Sequence, residues 1–179
     1  QQEIQDRTKI TQDKIVKELA KIAFSNATDY VEVVTRPTIH RIWDKEKSIP
    51  MFVTKSAGDS DGIYLDLTTN IISSNLYKLG YGGFYAVNLI SAIDKNSNDL
   101  YDKDTDLIIK KYSKACSEII IAWGTLTTKA MLNREKNVLR ILEKCNKKLL
   151  CVADNQGHIN VHPLTPAVRK NSSLADFQF

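Results

Sequence analysis

Four short apolar runs, each apolar on both faces and separated by three helical periods, constrain this chain more than anything else in it. They are Ile49–Thr54, Phe84–Leu89, Glu118–Ala122 with its core Ile-Ile-Ile-Ala, and Lys148–Val152. Strands without polar alternation are strands covered on both sides, which is the habit of a parallel sheet. Between them the spacing predicts helices over Asp66–Gly80, Thr105–Lys114 and Thr125–Cys145, with Ile71, Ile72, Leu76 and Leu79 lining the first and Met131, Val138, Ile141 and Leu142 the last. Strand and helix in alternation, joined by right-handed crossovers, predict a three-layer α/β/α sandwich around a mostly parallel four-stranded central sheet. In such a sheet a ligand crevice lies beyond the carboxyl ends of the strands.

A further helix is predicted at Thr11–Phe24, with Ile15, Leu19, Ile22 and Ala23 on one stripe and lysines opposite. The expected organisation is an N-terminal helical segment over 1–35, an α/β domain over 36–170 and a tail over 171–179. At 179 residues the chain is long enough to bury a core without disulfides or metals. Three scattered cysteines without paired spacing, no basic-then-apolar leader pattern and no membrane-length apolar run make the cytoplasm the expected compartment. A net charge of +4 permits contact with nucleic acid without requiring it.

The strand ends hold the residues that can carry chemistry. Asn88 ends an apolar strand, where a carboxamide offers a donor and an acceptor side by side, the pattern of a nucleobase edge; capping a loop is its other use. Trp123-Gly124 follows the most apolar strand, either as packing and hinge or as a tight turn that leads an anion to the next helix N-terminus. His162-Pro163 follows the last strand, where a stiffened loop can present an imidazole as a donor to developing negative charge, or simply sit on the surface. His158 and His40 have no partner identifiable in the sequence. Thr54, Lys55 and Ser56 end the first core strand. Asp59 and Asp61 can orient water there or form a turn, and Asp66 can hold a hydroxyl or cap the helix. Phe52, Tyr64, Tyr81 and Phe84 are candidate stacking rings. No metal ligand set and no cofactor motif stand out.

Taken in order, Arg41-Ile42-Trp43, Pro50-Met51-Phe52-Val53, Asp66 with Thr68, Gly80-Tyr81-Gly82-Gly83, Val87-Asn88-Leu89, Ala122-Trp123-Gly124 and His162-Pro163-Leu164 resemble the family catalogued as domain of unknown function 1643, over about residues 39–170. Thr54-Lys55-Ser56 stands where that family usually reads Asn-Pro-Ser. More distantly the same set is similar to the uracil-DNA glycosylase superfamily. That resemblance implies a DNA glycosylase in which Asn88 reads the base edge and His162 stabilises charge on the departing base. Pro163 would lie near the nucleic-acid backbone, and Ser56, Asp59 or Asp61 would sit where water is activated. Residues 10–34 look like the central region of phage terminase small subunits, implying a phage origin and assembly through the N-terminal helix. Three functions follow as expectations: hydrolysis of an N-glycosidic bond of a base in DNA, non-catalytic binding of a nucleotide or nucleic acid in the service of a phage, and homo-oligomer assembly. No membrane partner is expected.

Overall fold

The computed structural model describes residues 38–56, 67–91 and 104–178, all within the unit Val34–Phe179. The helix expected at Thr11–Phe24, and Asp59, Asp61, Tyr64 and Asp66, lie outside the described residues. In chain order the elements are β1 (Thr38–Ile42), β2 (Met51–Ser56), α1 (Leu67–Lys78), β3 (Gly83–Ile90), α2 (Thr105–Ala115), β4 (Ile119–Ala122), α3 (Lys129–Glu143), β5 (Leu149–Ala153), α4 (Pro166–Arg169) and β6 (Ser173–Asp176).

The strands form one mixed sheet of six, in the order β1-β3-β2-β4-β5-β6, rather than the four-stranded sheet expected. The four apolar runs are its middle: β2 lies parallel to both β3 and β4, and β4 parallel to β5. The two additional strands are edges, β1 antiparallel to β3 and β6 antiparallel to β5. Both edges are short and only partly buried, so neither has the continuous apolar run that marks the interior strands.

Alternation along each interior strand supplies two cores. Met51, Val53, Ile119 and Ile121 meet Ile109 of α2 and Val138 and Leu142 of α3 on one face. Phe52, Phe84, Ile120 and Val152 meet Ile72 and Leu76 of α1 and Val168 of α4 on the other. Each fully buried isoleucine of β4 contributes about 1.5–3 kcal/mol from loss of water contact. Substituting one by a polar residue would forfeit this and strand a polar group.

Helix α3 shows how the cleft region is kept open. The sequence predicts a helix from Thr125, but Trp123 to Thr127 belong to no helix or strand and α3 starts at Lys129, where Thr128 caps it by accepting the Met131 N–H at 3.2 Å. The Met131 N–H is thereby held by Thr128, and α3 begins five residues beyond Gly124. Buried Arg134 of α3 reaches under the sheet end, its Nε donating to Leu89 O at 2.9 Å and its Nη1 pairing with Asp106 of α2 at 2.5 Å. Ser91 and Thr105 hydroxyls, 2.8 Å apart, join the end of β3 to the start of α2. The carboxyl ends of the middle strands are thereby tied to both helices of that face.

Candidate functional site

The chain leaves β2 toward β3 through α1 on one face, and reaches β4 on the other side of β2 through α2 on the opposite face. Connections that diverge in this way open a crevice at the strand ends. Lys55, next to last in β2, spans it: its ammonium donates to Thr125 O, just past β4, at 3.3 Å. The segment after β5 forms the other wall. An open cleft of about 600 Å³ lies there, lined by Gly124 and Thr125 on one side and by His158 to His162 with Thr165 on the other.

Gly124 makes the close approach possible. Its φ is +65°, a region that side chains rarely adopt. A Cβ built on it would lie 2.9 Å from His162 Cβ and 3.4 Å from His162 N. Trp123-Gly124 and His162-Pro163, 38 residues apart in the chain, are therefore in contact through their second and first members respectively. His162 is half-buried. Its Nδ1 accepts the Leu164 N–H at 3.2 Å, so the neutral ring carries its proton on Nε2. Burial first, and the Lys55 charge second, hold the imidazole below its ordinary value, which keeps it neutral at physiological pH.

The other expected residues divide. Thr54 and Asn88 stand opposite each other on β2 and β3, and the Thr54 hydroxyl donates to Asn88 Oδ1 at 2.5 Å. Both are buried, at 5% and 6% exposure, and neither is among the residues that line the cleft beside His162. Trp123 takes the packing alternative: it is fully buried, gives its indole N–H to Glu135 at 2.9 Å and meets Phe177 edge-on. Pro163 is buried beside Phe52, Val152 and Leu174 on the α1 face. Ser56 is exposed at the end of β2. Phe52 and Phe84 belong to the core, and Tyr81 packs against it, so none of these three rings is a free stacking platform.

Two residues of the cleft, His158 and Asn160, were not singled out by motif. His158 does have a partner: its Nδ1 lies 2.8 Å from Asp154 Oδ2. Asn160, at φ +54°, lines the cleft with its Oδ1 buried and without a hydrogen-bond partner. Such an orphan acceptor costs about 1–3 kcal/mol. Lys55 contributes the cation. The turn residues Asp154 and Gly157 were the available signal for His158, and asparagine's tolerance of positive φ the signal for Asn160. His40, also without an identifiable partner in the sequence, bonds the Tyr112 hydroxyl at 3.2 Å, away from this cleft.

Among the described residues no helix is long and apolar enough to cross a membrane, and no group of three or more His, Cys, Asp or Glu could hold a metal ion. Neither the curated proteins nor the solved structures contain a match to the chain. A family model does match, over residues 36–164, the stretch that carries β1 to β5, Gly124 and His162. The chain belongs to the family described as protein of unknown function (DUF1643).

Proposed function

We propose that the chain is a nucleobase-recognising, glycosylase-like hydrolase that breaks the N-glycosidic bond of a base in DNA. The observation that carries this reading is His162: a neutral imidazole whose Nδ1 is occupied by the Leu164 N–H, leaving Nε2–H as a donor in a cleft at the strand ends. When a glycosidic bond breaks, negative charge collects on the departing base, and a fixed donor there stabilises the transition state more than the ground state. Lys55 adds a positive charge beside His162 suited to the same charge or to a flanking phosphate. The similarity of the Trp-Gly and His-Pro-Leu pieces to the uracil-DNA glycosylase superfamily supports the same chemistry. In this reading the base-edge role passes from Asn88, whose oxygen accepts from Thr54, to the Asn160 carboxamide on the same cleft wall as His162.

The test is incubation of the full chain with oligonucleotides that each hold one uncommon or modified base, followed by alkaline cleavage. Strand breaks at one base are expected, falling about 10²–10³-fold in His162→Gln, the usual cost of removing one such donor. Intact strands with every base would refute the hydrolytic reading.

The Thr54–Asn88 bond favours a second reading, a non-catalytic binder of a nucleotide or nucleic acid, because it leaves one expected recognition group occupied. Together with the terminase-like stretch at 10–34, it would suit a phage protein acting against host defence. It predicts thermal stabilisation by nucleotides or short DNA without turnover, about 2.7 kcal/mol at a hundredfold excess over Kd. A melting temperature that stays flat across nucleotides and short DNAs would dispose of it.

A further inference from the structure

The two histidines of the cleft are held with their protons on opposite nitrogens. After β5 the chain turns through Asp154–His158. Asp154 Oδ1 accepts the backbone N–H groups of Gln156 and His158, both at 2.9 Å, and Oδ2 faces His158 Nδ1 at 2.8 Å. The hydrogen bond from His158 holds the Asp154 carboxyl below the usual range, so it is ionised and can only accept. His158 Nδ1 must therefore carry a proton, and the neutral ring presents a bare Nε2. His162 is the reverse, with bare Nδ1 under the Leu164 N–H and a proton on Nε2. One cleft wall thus offers a lone pair and, four residues on, an N–H. The Asp154 side chain is 6% exposed and His158 68%: the carboxylate is built into the turn, while the ring stands free to meet a ligand.

We infer that His158 is the general base of this cleft and Asp154 the positioning residue that fixes its tautomer. The inference rests on the hydrolytic reading above. His158 Nε2 takes a proton from water and the water oxygen bonds to the sugar carbon C1′. The C–N bond to the base breaks, its electron pair goes to the base nitrogen, and His162 Nε2–H hydrogen-bonds the charge that gathers there. His158 then releases its proton to solvent and the free base takes one up, so that one water is consumed and nothing else changes. The water-activating role expected of Asp59 or Asp61 is filled, in this scheme, by a histidine of the segment after β5. Lys55 and Asp154 are the charged groups beside the two rings, and neither can itself take the proton from the water: Asp154 is committed on both oxygens and Lys55 is a cation.

Asp154→Asn tests this directly. The asparagine Oδ1 can keep both backbone N–H groups, which leaves its NH₂ facing His158 Nδ1. That nitrogen must then accept, and the His158 proton moves to Nε2, turning a base into a donor. His158→Gln is the companion variant, since the Asp154 bonds to the backbone do not involve the ring. On the full-length chain, ¹H–¹⁵N correlation spectra of the imidazoles should show Nδ1-protonated His158 and Nε2-protonated His162, with His158 alone reversing in Asp154→Asn. In the oligonucleotide assay both variants should lose about 10²-fold or more in kcat with KM changed less than about threefold. His158 protonated on Nε2 in the wild type would overturn the inference. So would both variants turning over like wild type while His162→Gln fails, a result that leaves the hydrolytic reading standing. Absence of turnover by the wild type on every base would instead remove that reading, and the base assignment with it.

Discussion

Gly124→Ala probes the contact on which the whole cleft depends. Two costs act at that position. At φ +65° an alanine Cβ crowds its own backbone, about 1–2 kcal/mol, partly offset by about 0.4–1 kcal/mol from the stiffer unfolded chain. The new methyl would also sit 2.9 Å from His162 Cβ, well inside the roughly 3.5–4.0 Å optimum for two carbons. The His162 backbone lies behind it, so relief requires moving main chain, and overpacking of that kind costs about 1–3 kcal/mol. The sum is roughly 2–4 kcal/mol, or a fall in Tm of about 5–15 °C for a chain of this length. Gly157→Ala separates the two costs. Its φ is +87° but nothing lies within 4 Å of the added Cβ, so it suffers only the backbone cost, a net loss of about 1 kcal/mol. Thermal and urea unfolding of the two variants measures the difference, and the His162 ring resonances should shift in Gly124→Ala alone. Equal losses in the two variants, or unmoved His162 resonances in Gly124→Ala, would refute the claim that the Trp-Gly and His-Pro segments are locked together by this contact.

Three further outcomes follow from the same geometry. Arg134→Met removes the donor to Leu89 O and the partner of Asp106, and should cost about 2–4 kcal/mol in urea unfolding; a loss below about 1 kcal/mol would show that this buried arginine does not hold the strand end to α2 and α3. Thr54→Val leaves Asn88 Oδ1 without its buried hydroxyl donor and should cost about 1–3 kcal/mol in urea unfolding; an unchanged stability would show that this bond does not hold β2 to β3. The third outcome concerns pH. His162 is held below 6.5 in the folded protein, by burial and then by Lys55, so in acid the unfolded chain binds more protons than the folded one. Its contribution is neutral above about pH 7.5 and becomes destabilising as pH falls through the ordinary and then the lowered value. Stability curves of wild type and His162→Gln should therefore shift in the variant's favour between about pH 7 and about pH 5, and a shift in the wild type's favour would contradict the neutral imidazole.

The interior of the sheet was legible because burial on both faces forces a strand to be apolar throughout. Ile119 to Ala122 sends alternate residues into the two cores, and no polar residue could stand there without a partner. The edges were illegible for the complementary reason. The sequence shows a strand-like piece over Ile39–Trp43, one residue off β1, yet nothing in it indicates which sheet it joins. Ser173–Asp176, half in water, has a composition that a loop would share. Edge strands are recognised by the backbone they pair with, and for β6 that backbone is β5, some twenty residues away, running antiparallel at the sheet's far side. The same distinction explains the starting point of α3. The apolar period runs back to Leu126, but the Thr128 hydroxyl offers its own bond to the Met131 N–H, and a side chain that caps at that point outcompetes propagation of the period.

The site divides along the same line. Gly124 and His162 were readable because each follows an apolar strand, and in a parallel sheet every strand end reaches the same rim. Thr54 and Asn88 were readable as polar residues at that rim, but whether they face a ligand or each other depends on register, and the register sets them opposite one another. Two short polar side chains at paired positions satisfy each other more cheaply than either could wait for a ligand, since a buried group left unbonded costs about 1–3 kcal/mol. His158 escaped notice because its partner lies four residues back across a turn and not on a helix, a relation that Gly157 creates and that no apolar period records. On the strands, Thr54 and Asn88 are spent on one another. The two imidazoles of the cleft, His158 and His162, sit together on the one segment after β5 whose path is set by turns. That is where a fold made rigid by its sheet can leave polar atoms open to a guest.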